Sequence, residues 1–228
     1  MTSTSQPTAL VTGAGRGLGL ALARALLADG WHVVVDARRA THLTTALPGA
    51  VVVPGDVADP AHQAALGGAV GPRLDLLVNN ASDLGPSPLP RLADVPLAAA
   101  RRVYETNVLA PLALTQLFLP LLRPSAGMIV NVSSDAAVEA YAGWGAYGSS
   151  KAALDQLTAV LAAEEPGLAV YAVDPGDMRT EMHQAAFPGE DISDRPAPET
   201  VVPALLRLIA TRPPSGRLRA RDLTGAPA

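Results

Sequence analysis

The chain has 228 residues, of which 49% are hydrophobic and 17% charged, a balance typical of a globular domain and not of a disordered chain. The formal net charge is −4, which argues against a nucleic-acid partner bound through its phosphates. The sequence contains no cysteine, which excludes disulfides, thiolate catalysis and cysteine-based zinc sites. The four histidines lack the spacing of metal ligands, so no metal site is predicted.

Targeting signals are not evident in the sequence. Residues 1–8 have neither a basic start nor an apolar run, so no signal peptide is predicted. The most apolar long segment, 107–122, is interrupted by Pro111 and Pro120 and is short for a membrane span. We expect a buried helix there, with a bend at Pro111, and a cytoplasmic protein without a membrane partner.

A short apolar run at 8–11 leads into the glycine-rich stretch 12–19 and then into a helical pattern at 20–28. Strand, glycine-rich turn and helix is the context of a dinucleotide site, because glycines let the backbone approach a diphosphate at the helix N-terminus. The alternative is a tight turn that only packs a helix on a strand. The predicted cofactor contacts in this turn are Gly13, Gly15, Arg16, Gly17, Leu18 and Gly19.

The second predicted strand, 31–35, is continuous and β-branched, as in a buried parallel sheet. Its end is the position that usually meets the adenosine ribose of a dinucleotide. Asp36 there would favour a bare ribose and NAD, whereas Arg38 and Arg39 would favour the 2′-phosphate of NADP. The residues themselves leave this choice open.

Strands and helices alternate along the rest of the chain. Further strands are predicted at 51–53, 74–78, 127–132, 168–173 and 217–220, and further helices at 42–47, 60–70, 97–122, 147–163 and 199–210. This alternation implies an α/β fold with a single Rossmann-type, doubly wound parallel sheet and helices on both faces. No linker divides the chain, so one dinucleotide-binding domain is predicted over 1–228. Residues 180–198 lack a strong period, and we expect a mobile segment on the substrate side.

The stretch 134–151 carries groups suited to proton transfer. Tyr147 and Lys151 stand four residues apart, so on a helix they project from one face. A tyrosine hydroxyl titrates near pH 10 in isolation, and an ammonium one turn away is expected to lower that pKa. A nearby serine could hydrogen-bond a carbonyl or alcohol oxygen. Alone, the pair is more typical of a packing tyrosine and a surface lysine, so its meaning depends on the other motifs.

Together these residues resemble the short-chain dehydrogenase/reductase family over nearly the whole chain. The matching motifs, in chain order, are Thr12-Gly13-x-x-x-Gly17-x-Gly19, Asp56-Val57, Asn79-Asn80-Ala81, Asn107, the set Ser134, Tyr147 and Lys151, and Pro175-Gly176 with Thr180. One such motif is weak evidence, whereas six in the family's order and context are specific.

The resemblance implies an NAD(P)-dependent oxidoreductase that interconverts a carbonyl and a secondary alcohol, with the hydride carried by nicotinamide. Ser134 would polarise the oxygen of a small-molecule substrate, and Tyr147 would be the general acid or base. Lys151 would lower the pKa of Tyr147 and hold the nicotinamide ribose, and Asn107 would link Lys151 to solvent through water. Ser133 is the rival for the serine role, but in a continuing strand its side chain faces the other way. Outside the glycine turn, the implied cofactor contacts are Asp36, Arg38, Asp56, Val57, Asn80, Ala81, Tyr147, Lys151, Pro175, Gly176 and Thr180.

Several features depart from the family or stay open. Ser82 stands where the family usually has glycine, and the C-terminus lacks the usual glycine-rich end after the last strand. The proline-rich loop 83–90 either shapes the pocket wall or merely connects two elements. Packing is the more typical role for Tyr141, Trp144 and Met178, and the candidates for substrate contact in the segment 180–198 are His183 and Phe187.

Two other classes of function compete with the enzyme. A catalytically inactive NAD(P)-binding regulatory or scaffold protein of the same fold is the main alternative, and the intact catalytic set disfavours it. An extended sugar-nucleotide epimerase is disfavoured because no sizeable C-terminal substrate domain is present. In the family, the helices matching 97–122 and 147–163 pair across a two-fold axis. Both are rich in alanine and leucine here, so a homodimer or homotetramer is expected.

The resemblance favours NADPH, with NAD as the alternative. In NAD-preferring relatives the acid lies about one residue further from the last glycine, where this chain has Ala37. Asp36 is then expected to face away from the ribose, because neighbouring strand residues face opposite sides. Arg38 follows as in NADP-preferring relatives, and Arg16 could add a second positive charge on the phosphate.

Overall fold

A computed structural model describes residues 6–223, and a seven-stranded sheet forms the centre of this part of the chain. The strands are Thr8–Val11 (β1), His32–Ala37 (β2), Val51–Pro54 (β3), Leu76–Asn79 (β4), Met128–Val132 (β5), Ala169–Asp174 (β6) and Gly216–Arg219 (β7). They lie in the order β3-β2-β1-β4-β5-β6-β7, and every paired strand in this sheet is parallel to its neighbour. The predicted doubly wound parallel sheet is confirmed.

Helices cover both faces of the sheet, as predicted. The helices are Gly17–Ala28 (α1), Leu43–Ala46 (α2), Pro60–Val70 (α3), Leu97–Tyr104 (α4), Ala110–Leu122 (α5), Gly145–Glu164 (α6), Glu181–Ala186 (α7) and Val202–Thr211 (α8). Helices α1 and α8 share one hydrophobic cluster with the sheet, and α3 and α5 share the other. Successive side chains of β1 point to opposite faces of the sheet. Ala9 and Val11 belong to the first cluster and Leu10 to the second.

The predicted long helix 97–122 is interrupted. A π-helical turn, Glu105–Leu109, separates α4 from α5 just before Pro111. Proline has no N–H, so Pro111 cannot donate to the carbonyl of Asn107, four residues earlier. The stretch Leu97–Leu122 is long and apolar enough to cross a membrane by length and composition alone. Some of its apolar side chains lie in the hydrophobic core, where Leu114 and Phe118 are almost completely buried.

Smaller differences from the prediction occur at element ends. Helix α1 begins at Gly17, inside the glycine-rich stretch, and α8 begins at Val202, after a separate 3-10 turn. Strand β2 continues through Asp36 and Ala37, because these residues pair with β3. The strand order reverses between β1 and β4, and in open parallel sheets ligands bind at the carboxyl ends of strands at such a switch point.

The segment 180–198 lies beside that edge. It contains α7, and the backbone N–H of Arg179 donates to the carbonyl of Pro196 at 2.8 Å, which closes the segment on itself. Ala186 of α7 is buried in the same cluster as Tyr147. The segment therefore covers the part of the sheet edge to which the catalytic candidates belong, and its mobility stays a prediction.

Candidate functional site

The glycine turn between β1 and α1 has no room for side chains at two positions. Gly13 has a φ of +66°, and a Cβ on it would lie 2.7 Å from the Cα of Ala81. A Cβ on Gly19 would collide with the amide of Asn80. Helix α1 then starts with neither a side-chain cap nor an acid in its first turn. Its first N–H groups are therefore available to an anion, which fits the diphosphate of a dinucleotide.

Asn80 and Ala81 fasten this turn to the end of β4. The Asn80 amide donates to the carbonyls of Thr12 and Gly13 at 2.8 and 3.2 Å. The backbone N–H groups of Asn80 and Ala81 donate to the Thr12 hydroxyl at 3.0 and 3.1 Å. The structure thus brings these two predicted cofactor residues against the glycine turn, and it uses the Asn80 side chain to hold the turn's shape.

Asp36 was predicted as a cofactor contact and was also expected to face away from the ribose, and the structure places its side chain in the interior. Its carboxylate is 2% exposed, accepts the N–H of Gly13 at 2.5 Å and lies 3.1 Å from Nε2 of His62. It therefore supports the glycine turn from behind. The next residue, Ala37, faces the turn instead, because a Cβ on Gly15 would lie 3.0 Å from the Ala37 methyl. Alternation along β2 is the physical reason.

Positive side chains lie around the same turn. Arg38 and Arg39 follow β2 and are exposed. Arg16, expected as a second phosphate contact, is instead ion-paired with Glu181 at the start of α7. Nε2 of His42 lies 2.8 Å from the carbonyl of Gly15. The contacts of His42 and His62 could not be predicted from the sequence, because both depend on how distant segments pack.

The remaining predicted cofactor residues lie on loops at the carboxyl ends of their strands. Asp56 is exposed and accepts the N–H of Ala58 at 3.0 Å, and Val57 is buried. After β6, which ends at Asp174, Pro175 leads into Gly176, whose φ of +76° makes the turn and whose N–H donates to Asp174 at 2.9 Å.

Thr180 lies next to the glycine turn, close to Gly17. Its hydroxyl accepts the N–H of His183 at 3.1 Å and so caps α7. Its Cγ2 lies 3.5 Å from where a Cβ on Gly17 would be. The segment after β6 and the glycine turn therefore meet at one edge of the sheet.

The structure brings the catalytic candidates together at the centre of this edge. Tyr147 and Lys151 lie on α6 and are 8% and 2% exposed, and Ser134 follows β5. Nζ of Lys151 donates to the carbonyl of Val132 at 2.8 Å and lies 5.6 Å from the centre of the Tyr147 ring. Both side chains project from one face of the helix, as their spacing of four predicts.

Electrostatics at Tyr147 differ from the expectation. Burial raises the pKa of Tyr147 to about 12, and the neighbouring hydroxyls of Ser134 and Ser82 act in the opposite direction. The pKa of Tyr147 is therefore raised overall, whereas the spacing to Lys151 predicted that it would be lowered. The physical reason is desolvation, which disfavours the phenolate and outweighs the favourable contacts.

Lys151 is itself strongly perturbed. Burial lowers its pKa to about 8, and the nearby carboxylate of Asp155 opposes this shift. It is also the sole lysine in the sequence, since the other sixteen of the 17 Lys and Arg residues are arginines. Burial thus brings the titration of this amine closer to neutral pH than that of an exposed lysine.

Of the two neighbouring serines, Ser134 and not Ser133 affects the pKa of the Tyr147 phenol. The Ser134 hydroxyl donates to Asp135 at 3.0 Å and accepts the N–H of Ala136 at 3.2 Å. Ser133 is 2% exposed, and its hydroxyl has no hydrogen-bond partner among the described residues. One hydrogen bond to Ser134 was not predicted from the sequence: the guanidinium of Arg217 in β7 donates to the Ser134 carbonyl at 2.9 Å.

Asn107 is completely buried at the π-helical turn, where its amide makes four hydrogen bonds. Its Nδ2 donates to the carbonyl of Asp83 and to the hydroxyl of Ser150, both at 2.9 Å. Its Oδ1 accepts the N–H of Asp83 at 2.8 Å and the hydroxyl of Ser82 at 3.1 Å. Asn107 therefore joins the loop after β4 to helix α6, in which Ser150 lies between the catalytic candidates Tyr147 and Lys151.

An aromatic wall covers the phenol. Trp144 packs edge-on against Tyr147 with ring centres 5.7 Å apart, and it contacts Phe187 of the segment 180–198 at 6.0 Å. The ring of His183 lies 4.9 Å from Phe187. Met178, in contrast, packs against the core cluster of α1 and α8. Trp144 and Phe187 therefore form an apolar surface beside the ring of Tyr147.

Comparison with known proteins identifies the class of this chain. The family model described as short chain dehydrogenase matches residues 7–191. L-xylulose reductase of Bos taurus is 39% identical over 187 residues, which cover 78% of this chain and 75% of that protein. Serine 3-dehydrogenase of Rhizobium radiobacter is 37% identical over 184 residues, covering 76% and 73%.

Solved structures agree with this result. A short-chain dehydrogenase from Streptomyces avermitilis superimposes with a TM-score of 0.82 at 31% identity, covering 97% of this chain and 91% of that one. A Shigella flexneri protein complexed with NADP gives 0.86 at 30% identity, covering 94% and 97%. The chain therefore belongs to the short-chain dehydrogenase/reductase family and is an oxidoreductase of that family.

Proposed function

We propose that this protein is an NADPH-dependent reductase that interconverts a small-molecule ketone or aldehyde with its alcohol, using Tyr147 as the general acid or base. The observation that carries the proposal is the meeting of Tyr147, Ser134 and Lys151 at the carboxyl edge of the sheet, beside a glycine turn fit for a diphosphate. An inactive regulatory or scaffold protein would need none of these catalytic groups.

The residues divide the chemistry among themselves. A nicotinamide cofactor, held by the glycine turn, Lys151 and the loop at Pro175, supplies the hydride when bound. The Ser134 hydroxyl, which donates to Asp135 in this structure, would turn to donate to the substrate oxygen and so favour negative charge on it. Tyr147 delivers its proton to that oxygen in reduction and removes it in oxidation. The wall of Trp144 and Phe187 excludes water from the phenol.

The preference for NADPH rests on charge at the end of β2. The buried carboxylate of Asp36 contacts the N–H of Gly13 and the ring of His62. It is therefore not available to bind a free 2′-hydroxyl, and it does not face a 2′-phosphate. Ala37 leaves space, and the exposed guanidinium of Arg38 follows it. The similar Shigella flexneri protein complexed with NADP supports this assignment.

Arg38→Ala is expected to lower kcat/KM for NADPH selectively, because a charge-assisted contact to the 2′-phosphate is lost. The expected loss corresponds to about 1–3 kcal/mol, with little change for NADH. The measurement is kcat/KM with each cofactor for the wild type, Arg38→Ala and the control Arg24→Ala, an exposed arginine on α1. A wild type that prefers NADH would assign the cofactor to NAD, and an unchanged preference in Arg38→Ala would show that Arg38 does not contact the 2′-phosphate.

The substrate is proposed to be a small carbonyl or alcohol compound. Two relatives are named for a sugar ketone, L-xylulose, and for the amino acid serine. The direct test of the function is oxidation of NADPH by the purified protein with a panel of sugar, aliphatic and aromatic carbonyls. Turnover of at least one compound supports the proposal. Binding of NADPH without turnover of any of them supports the scaffold alternative.

We also propose that the protein is a cytoplasmic homodimer or homotetramer. Exposed apolar side chains occur on α4, on the π-helical turn after it and on α6, namely Leu97, Tyr104, Leu109 and Val160, which are 36–73% exposed. Such side chains fit an interface between copies of this chain. Nothing in its charge favours a nucleic-acid partner.

Light scattering at micromolar concentration is expected to give two or four times the chain mass of 23.3 kDa. Val160→Arg, which places a charge on α6, is expected to shift the protein toward monomer. Val51→Arg is the matched control, because Val51 is similarly exposed but lies on β3 at the edge of the sheet. A monomeric wild type would contradict this assignment.

A further inference from the structure

Arg217 reaches from the last strand to three separate parts of the site. It is the second residue of β7, at the edge of the sheet, and it pairs in register with Ala172 of β6. Charged side chains on an edge strand usually lie in solvent. The side chain of Arg217 is only 25% exposed, and its guanidinium makes three polar contacts.

The three contacts of this guanidinium belong to the elements that carry the proposed chemistry. Its Nη2 donates to the Ser134 carbonyl at 2.9 Å, and its Nε donates to the carboxylate of Asp155, on α6, at 2.9 Å. The same Nη2 lies 3.6 Å from Asp174, whose other carboxylate oxygen accepts the N–H of Gly176 at 2.9 Å. One side chain thus links the candidate serine, the helix of Tyr147 and the turn after β6.

The planar shape of the guanidinium fixes the direction of these contacts. Because its N–H donors point in set directions, the ion pair with Asp155 also determines where Nη2 points. There Nη2 meets the Ser134 carbonyl, which also accepts the N–H of Ala137 at 3.1 Å. Both lone pairs of this carbonyl are then used, so the peptide after Ser134 cannot rotate without loss of a hydrogen bond.

The two carboxylates around Arg217 are not arranged for stability alone. The side chains of Asp155 and Asp174 are 14% and 7% exposed, and Oδ1 of Asp155 is buried without a hydrogen-bond partner among the described residues. A buried polar atom without a partner costs free energy, and apolar replacement of a buried ion pair is often neutral or stabilising. A purely stabilising role therefore explains this arrangement poorly.

We propose that Arg217 is a positioning residue, which holds the backbone of Ser134 at a fixed place relative to α6, the helix that carries Tyr147 and Lys151. The inference rests on the proposed function and adds to it a residue of the last strand. Arg217 acts through Ser134 and Asp155, both of which it contacts at 2.9 Å.

The test compares kcat for a carbonyl compound of the panel in the wild type and three variants. Arg217→Lys keeps the positive charge between the two carboxylates but loses the fixed donor directions, so kcat is expected to fall about tenfold or more. Asp155→Leu removes the anchor of the guanidinium, and a similar fall is expected. The melting temperature should not drop in Asp155→Leu, because a buried oxygen without a partner is removed as well. Asp155→Asn removes the same charge but keeps an acceptor for Nε, so it should retain most of the kcat.

Arg123→Lys is the matched control. Arg123 makes a comparable ion pair with Glu165, which follows the last residue of α6, at the opposite end of that helix from Tyr147. The control should keep the wild-type kcat. An unchanged kcat in Arg217→Lys would overturn the proposal, and so would an equal loss in Arg123→Lys or Asp155→Asn. A kcat that simply follows the melting temperature in every variant would show a structural role and overturn it too.

Crystal structures of the wild type and Asp155→Leu provide a readout without turnover. The Ser134 carbonyl is expected to shift relative to α6, or to adopt more than one conformation, while Tyr147 and Lys151 stay in place. An unchanged position of Ser134 overturns the proposal even if kcat falls. If the wild type turns over no compound of the panel but Ser134 is displaced in the variant, the proposed function fails and the positioning of Ser134 by Arg217 is supported.

Discussion

Tyr147→Phe is expected to lower kcat for carbonyl reduction by about a hundredfold to ten-thousandfold, the usual contribution of a positioned general acid. Only the hydroxyl is removed, and the ring keeps its edge-on packing against Trp144. Because Lys151 is held by the carbonyl of Val132 and not by the phenol, its position is expected to persist. The dissociation constant of NADPH should therefore stay within a few-fold of the wild-type value. The measurement is steady-state kinetics beside cofactor binding by fluorescence.

Tyr104→Phe provides the matched control for this experiment. Tyr104 ends α4, is 36% exposed and belongs to none of the site contacts described above. The control should retain wild-type kcat. If Tyr147→Phe kept most of its activity, the proton would have to come from another group, and the assignment of Tyr147 as general acid would be wrong.

The architecture could be predicted because its signals are local. Continuous β-branched runs such as 31–35 and 51–53 indicate buried parallel strands, and the helical patterns between them fix the alternation. A helical spacing of four was sufficient to bring Tyr147 and Lys151 to one face of α6. These features depend on residues within one or two turns of each other, so a single sequence contains them.

Features that depend on distant packing could not be predicted. The pairing of Asp36 with His62 requires the register of β2 and the face of α3 to be known together. Arg217 reaches Ser134 from the last strand, across 83 positions of sequence. The interruption at Glu105–Leu109 was only partly visible, because Pro111 indicates a bend but not a π-helical turn. Each of these contacts sets the shape of the site.

The electrostatics of Tyr147 and Lys151 show the same limit. Sequence spacing predicts proximity, which alone would lower the pKa of the tyrosine. Burial, which only the fold reveals, raises the pKa of Tyr147 to about 12 and lowers that of Lys151 to about 8. Both shifts favour the uncharged forms, so the pair avoids placing an unsolvated ion pair in the core. The hydroxyls of Ser134 and Ser82 are the neighbours that lower the pKa of Tyr147 and so favour its phenolate.

Lys151→Met is expected to reduce both turnover and cofactor affinity, because a group that would hold the nicotinamide ribose is lost. It also tests the shifted pKa of Lys151, from about 10.5 to about 8. Between these values the unfolded chain binds a proton at Lys151 that the folded chain does not. The free energy of unfolding should therefore rise as pH increases from 8 to 10.5, by on the order of 3 kcal/mol in total.

The matched comparison is the wild type against Lys151→Met, by urea unfolding at steps between pH 7.5 and about pH 10. Measurement stops there because Tyr147, whose pKa is raised from about 10 to about 12, makes stability fall at higher pH. The difference between the two proteins isolates Lys151 from the other titrating groups. Since the sequence has a single lysine, 15N-lysine labelling gives one Nζ signal, which is expected to titrate near pH 8. A signal that titrates above pH 10, with parallel stability curves for the two proteins, would show that Lys151 stays charged in the folded protein.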